Sequence, residues 1–183
     1  MRCFGDGDPL YEAYHDLEWG VPVHDERGVY ERLCLEGFQS GLAWITILRK
    51  RDAFRAAFAR FDPDVVARFG DRDVIRLLGD AGIVRHRGKI EAAIANARAT
   101  IALREAGTPL HEVFWGHAPA TWKIPQGPAD YVAQTPESVA LAKTLRTAGF
   151  RFVGPTTLHA AMQACGVVDD HLVGCLVRTG SPS

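Results

Sequence analysis

The chain carries almost no net charge: 21 Lys and Arg stand against 22 Asp and Glu, a formal balance of −1. That removes the broad positive field of a bulk nucleic-acid binder, although a local basic patch would still serve. No apolar run approaches about 18 residues, which excludes a spanning helix. Met-Arg-Cys-Phe at the start lacks an apolar stretch, so no secretory signal is expected. Cysteines are few, namely Cys3, Cys34, Cys165 and Cys175. Without export signals, thiols or metal ligands are expected rather than disulfides, and a cytoplasmic location with them. Internal repeats and low-complexity tracts are absent. So is any alternation of apolar and polar residues long enough to build a sheet.

What is present is helical periodicity almost throughout, and the fold class expected is all-α. With 183 residues and a 47% hydrophobic share the chain can bury a sizeable core. One domain over 1–183 is expected, with two lobes. Residues 26–39 place Val29, Leu33 and Cys34 at helical intervals before a break expected near Gly37. Residues 42–48 read as a buried helix, and Arg51 to Phe61 carries Phe54, Phe58 and Phe61 as a core-facing stripe. Asp62-Pro63 and Thr135-Pro136 are helix starts. Residues 88–106 form an alanine-rich helix ending at Gly107. Residues 116–130, with three prolines and two glycines, are the one clear loop and a candidate lobe boundary.

Three constellations carry chemistry. Cys3 and His15 near one end, with His171 and Cys175 near the other, supply two thiolates and two imidazoles. That is the closed ligand set of a structural zinc site, and it would tie two fraying segments together. By spacing alone, chance placement stands beside it. The stretch 77–90 is a helix end, a Gly-bounded turn and a helix start, with Arg85, His86, Arg87 and Lys89 clustered. Such a turn aims N–H groups at a phosphate, or it is an ordinary corner with solvated charges. Tyr11 and Tyr14 lie one helical turn apart. Glu36 sits among apolar neighbours, where an unpaired carboxylate is costly, and Trp44 follows. Singly these are core residues; together they describe a pocket for a flat, polar-edged, electron-poor ligand such as a nucleobase.

The segments Asp-Pro-Leu-Tyr-x-x-Tyr-His-Asp-x-Glu-Trp-Gly-Val-Pro (from Asp8), Cys-Leu-Glu-Gly-x-Gln-x-Gly-Leu-x-Trp (from Cys34), Ala-Gly-Ile-x-Arg-His-Arg-Gly-Lys-Ile (from Ala81) and Met-Gln-Ala-Cys-Gly-x-Val-x-Asp-His (from Met162) are long and spread through the chain. On them the sequence resembles the bacterial 3-methyladenine DNA glycosylase I family from Cys3 to about Cys175. The resemblance implies a helix–hairpin–helix glycosylase architecture with a zinc-bound lobe. It places structural Zn(2+) on Cys3, His15, His171 and Cys175. It assigns the base pocket to Tyr11, Tyr14, Glu36 and Trp44, and DNA contact to the hairpin at Gly82, Arg85, Arg87, Gly88 and Lys89. Many relatives carry an aromatic two residues after the first cysteine. Here Phe4 follows at once, before Gly5-Asp6-Gly7, so Phe4 either takes that role from a shifted position or the role is vacant.

The implied reaction is hydrolysis of the N-glycosidic bond of 3-methyladenine in double-stranded DNA by a monomer. Methylation makes the base cationic and a good leaving group, so extrusion and recognition dominate. An electron-rich aromatic wall favours the cationic ring. Glu36 is assigned recognition first and catalysis second, with Tyr14 expected to donate to it and hold it charged. Asp169 and Asp170 are expected to cap. The alternative is a lesion-binding module without turnover, or a hydrolase that uses the Cys/His cluster directly.

Overall fold

Nine α-helices and three short 3-10 turns make up the regular structure of residues 1–178, the part described in the computed structural model. No described residue lies in a strand, as the periodicity predicts. Short polar caps set several starts. Helix α1 (Pro9–Leu17) begins where the Asp8 carboxylate accepts from the N–H groups of Leu10 and Tyr11. Helix α2 (Glu26–Gln39) is capped by Asp25, whose carboxylate accepts from Gly28 N–H. It is followed by α3 (Trp44–Ala57). Asp62 caps α4 (Pro63–Val66) with proline at the first position. Helices α5 (Asp71–Gly79), α6 (Arg87–Glu105) and α7 (Leu110–Trp115) follow. Thr135 and Ser138 cap α8 (Pro136–Thr147) reciprocally, and α9 (Pro155–Ala164) ends the helical run.

Helix α2 is the hub, packed against α3, α6, α7 and α9. Its residues Val29, Tyr30, Leu33 and Phe38 are buried with Ile47, Phe54, Phe58, Ile90 and Leu158 in one apolar core. The Tyr30 hydroxyl donates to Ala93 O of α6 at 2.8 Å, so the phenol is paired where it is buried. A smaller aromatic cluster of Tyr14, Trp19 and Leu48 stands apart from this core, with Cys3, Phe4, Tyr11 and Trp44 against it. Both sites described below are built on it.

Three expectations need correction. Helix α2 does not break near Gly37; it runs on to Gln39. A Cβ at Gly37 would meet only ordinary contacts with Phe152, so this glycine is no punctuation mark. The phenylalanine stripe does not lie on one helix. Helix α3 stops at Ala57, and Ala59, Arg60 and Phe61 turn left-handed with φ near 50–55°. That conformation costs about 1–2 kcal/mol per residue. It is offset by complete burial of Phe61 on Phe58 and by Arg27 Nε donating to Arg60 O at 2.7 Å. Finally, the four-residue spacing of His171 and Cys175 would put both on one face of a helix, but residues 171–175 run instead through a turn at Val173–Gly174. Among the described residues no helix is long and apolar enough to cross a membrane.

Candidate active site and metal cluster

Helices α1, α2, α3 and α9, with residues 131–132 of the long loop, enclose a cavity of about 350 Å³. Tyr11, Tyr14, Glu36 and Trp44 all line it, which are the four pocket residues the sequence singled out. Phe4 lines it too, with its ring 5.0 Å from Tyr11 and 4.9 Å from Trp19. The shifted phenylalanine thus stands in the aromatic wall. Tyr14 and Trp44 are 5.3 Å apart and tilted by 45°. The indole Nε1 of Trp44 is buried without an acceptor among the described residues. Trp19, Gln39, Tyr131, Val132, Ala160 and Gln163 complete the lining and were not foreseen. Trp19 was in view within the motif beginning at Asp8. Gln163 and Ala160 lie one turn apart on α9, but nothing in their local pattern separates them from a packing face.

Glu36 is 6% exposed, and burial pushes its carboxyl up to about 8. No described residue donates a hydrogen bond to it, so the expected Tyr14 contact does not form. Two phenols stand nearby instead, and burial and the Glu36 charge both raise Tyr11 and Tyr14 above the ordinary phenol range. With no described residue donating to it, burial favours the protonated form of this acid.

Beyond Phe4 and Trp19 lies the Cys/His cluster. The ligand atoms of Cys3, His15 and Cys175 fall within 4.8 Å of one another. Both histidines are oriented from behind. His15 Nδ1 is 2.8 Å from Asp16 and His171 Nδ1 is 2.7 Å from Asp169. These carboxylates are held in turn by Arg2 and Arg178. Arginine contact and the adjacent histidine draw Asp16 down to about 2, and hydrogen bonds from His171, against opposing burial, lower Asp169. Such backing leaves Nε2 as the lone-pair nitrogen; in His15 it accepts from Cys3 N–H at 3.1 Å and lies 3.5 Å from Cys175 Sγ. His171 Nε2 is buried without a partner, and its ring centroid lies 5.1 Å from that of His15. Leu172 N–H points at Cys3 Sγ at 3.2 Å, as suits a thiolate. The two aspartates divide their work: Asp169 accepts from His171 N–H, a local cap, whereas Asp170 caps nothing and accepts from Trp122 and Gln163.

The basic turn between α5 and α6 is tied to α3 and, through Lys89, to the end of α2. Gly82 is required there, since a Cβ would sit 2.9 Å from Ala53 Cβ. Lys50 Nζ donates to the carbonyls of Ala81 and Gly82, tying the turn to α3. Gly88 admits close approach of the His86 ring, whose Nδ1 accepts from Lys89 N–H at the start of α6. The basic side chains are used unequally. Lys89 Nζ donates to Phe38 O at 2.9 Å and Ser40 O at 2.6 Å. It thus closes the end of α2 that carries Glu36 and Gln39. Arg87 pairs with Glu91 at 3.2 Å, and Arg85 is exposed with no ion pair among the described residues.

A family model described as methyladenine glycosylase matches residues 4–179. DNA-3-methyladenine glycosylase 1 of Escherichia coli (strain K12) is 48% identical over 176 residues, covering 95% of this chain and 94% of that protein. A crystal structure of 3-methyladenine DNA glycosylase I superposes with a TM-score of 0.93 at 47% identity, covering 96% of this chain and 98% of that one. A tyrosine-to-phenylalanine variant of 3-methyladenine DNA glycosylase I in complex with 3-methyladenine is 32% identical, with a TM-score of 0.92. It covers 99% of this chain and 97% of that one.

Proposed function

The chain belongs to the methyladenine glycosylase family, and from that premise we infer that it is a DNA-3-methyladenine glycosylase: it cuts the N-glycosidic bond of 3-methyladenine in DNA, releasing the base and leaving an abasic site. The observation that carries the reading at the level of residues is the unpartnered Glu36 in an aromatic cavity. A neutral purine gains little from a buried acid that prefers to be protonated. A base made cationic by methylation gives that acid a counter-charge, so Glu36 ionises as the base enters and the lesion is distinguished from normal adenine. The rings of Trp44, Tyr14, Tyr11 and Phe4 supply stacking, worth about 1–3 kcal/mol per base in comparable sites. The ionised Glu36 then also faces the positive charge that develops on the sugar as the bond lengthens.

The Cys/His cluster fits a structural zinc ion. Cys3, His15 and Cys175, whose ligand atoms lie together, would hold it, and His171, outside that group of three but with an orphaned Nε2, would complete the set. Four protein ligands leave no position for substrate, so the ion's chemistry is cross-linking, not hydrolysis. Residues 1–3 and 171–175 would be fastened beside the pocket wall. The turn 80–86 with Arg85, Arg87 and the N–H groups at the start of α6 is the surface for the phosphate backbone of double-stranded DNA, in the manner of a helix–hairpin–helix. Lys89 contributes by holding that turn against α2. The protein acts as a monomer.

Incubation with alkylated DNA, with the released bases identified chromatographically, tests the reading. Free 3-methyladenine should accumulate with matching abasic sites. Binding of alkylated DNA without release would make the protein a lesion-binding module.

A further inference from the structure

We infer that Asp170 fixes the hydrogen-bonding sense of Gln163, and that this pair makes the pocket choose a base bearing an exocyclic amine over one bearing a keto oxygen in its place. The inference rests on the base-binding reading above. Gln163, on α9, lines the cavity. Asp170 is 3% exposed and accepts at both oxygens: from Trp122 Nε1 at 3.0 Å and from Gln163 Nε2 at 2.5 Å. A carboxylate only accepts, so the amide must turn its NH2 end toward it. The Gln163 carbonyl oxygen is left at the other end. It takes no hydrogen bond from a described residue and is not sealed from solvent. Gln39 follows the same pattern, its NH2 donating to Leu42 O at 2.7 Å. At the end of the pocket that Gln163 faces, the polar edge thus offers acceptors, Glu36 and two amide carbonyls, while the unpartnered donors Trp44 Nε1 and the Tyr131 hydroxyl also line the cavity.

Adenine and guanine differ in this respect. The six-position carries an amine donor in adenine and a carbonyl acceptor in guanine. Against a fixed acceptor, the amine is paired and the carbonyl is not. A buried polar group left unpaired lowers affinity by roughly 10-fold or more. Stacking and charge do not separate 3-methyladenine from 3-methylguanine, because both are flat and methylated at the same place. The amide sense does.

The chemistry of Asp170 provides its own inversion. In Asp170→Asn, Trp122 is a donor only and claims the new amide's carbonyl. The new NH2 then faces Gln163, which must turn over and present its own NH2 to the cavity. His159, buried with both ring nitrogens unpartnered and Nε2 3.6 Å from Asp170 Oδ2, offers the displaced NH2 a further acceptor. Removing the donor with Trp122→Phe frees the new amide to rotate and lets Gln163 return to its native sense.

Calorimetry with free 3-methyladenine and free 3-methylguanine tests this on wild type, Asp170→Asn, Asp170→Asn/Trp122→Phe and Gln163→Leu, each with melting temperature and metal content recorded. Asp170→Asn should lower the preference for 3-methyladenine by about 10–100-fold, and the double variant should recover most of it. Gln163→Leu should lower 3-methyladenine affinity about 10-fold and weaken the preference without unfolding. An unchanged preference in Asp170→Asn, or no recovery in the double variant, overturns the inference. Should the Asp170 variants fail to fold, an unchanged preference in Gln163→Leu overturns it equally. If wild type binds neither base and releases none from alkylated DNA, the base-binding reading itself fails, which is a different result.

Discussion

The Cys/His cluster and the base cavity share Phe4 and Trp19 as a common wall, yet they treat buried polarity in opposite ways. In the cluster each histidine is backed by a carboxylate and each carboxylate by an arginine, so the groups behind the ligands are satisfied. The ligand atoms of Cys3, His15 and Cys175 draw together there, and His171 Nε2 is left without a partner. In the cavity Glu36 is left without a donor, and the carbonyl oxygens of Gln39 and Gln163 are left without partners. The difference teaches where to look for a ligand of each kind. On the proposed reading, a site to be completed by a metal holds its donors rigid in advance, and a site to be completed by a cationic base keeps its own charge suppressed until the base arrives.

The largest expected effect comes from breaking the rigid side. Cys175→Ser, or removal of metal by a chelator, should abolish stoichiometric zinc and lower the melting temperature by roughly 10 °C or more. Full zinc content with unchanged melting would remove the cluster from the account. Glu36→Gln acts on the other side, and in two directions. Activity on alkylated DNA should fall by roughly 10–1,000-fold, equivalent to about 1.4–4 kcal/mol, because the neutral amide cannot acquire charge. Stability should rise instead. The Glu36 carboxyl is raised from an ordinary value of 4.5 to about 8 in the fold, so its contribution is fully present below 4.5 and is lost as pH climbs through about 8. Glu36→Gln should therefore melt higher than wild type, with the gap widening from pH 5 to pH 9. A parallel pH dependence of the two melting curves would contradict the suppressed charge.

Trp44→Ala should cost a factor of about 5–150 on 3-methyladenine, the stacking range, while binding of undamaged duplex stays nearly unchanged. Equal losses in both would mark Trp44 as framework. The smallest effect is on the hairpin. Arg85→Ala should weaken DNA binding alike across sequences and flatten its salt dependence by about one unit of slope. Lys89→Ala should act differently, loosening the end of α2 and lowering melting temperature as well. An unchanged slope in Arg85→Ala would make that side chain merely solvated.

Much of this was legible in the chain. The proline and polar caps at Asp62 and Thr135 gave helix starts, because those signals are local. The pocket residues Tyr11, Tyr14, Glu36 and Trp44 were recognisable because an acid among apolar neighbours is chemically out of place. The break expected at Gly37 was misread: helix propensity is weak beside the packing of α2 against four neighbouring helices. The left-handed turn at Ala59–Phe61 was hidden for the complementary reason, since Phe54, Phe58 and Phe61 keep a helical spacing while tertiary burial decides the backbone. Gln163 and Asp170 could not be paired from sequence. Their meaning lies in a hydrogen bond between two surfaces, and seven residues of separation say nothing about which end of an amide faces inward. The Tyr14–Glu36 contact was expected on the rule that buried acids find donors. It does not form, and no other described residue donates to Glu36; on the reading proposed above, the base is the partner.

Titration of the Glu36 carboxyl carbon by NMR, in free protein and in complex with DNA bearing a methylated adenine and a non-cleavable sugar, tests the central claim most directly. The account predicts a midpoint near 8 in the free protein and one at or below the ordinary carboxylate range in the complex, with uptake of charge accompanying binding. A free-protein midpoint near 4.5, or one unmoved by the methylated base, would contradict it.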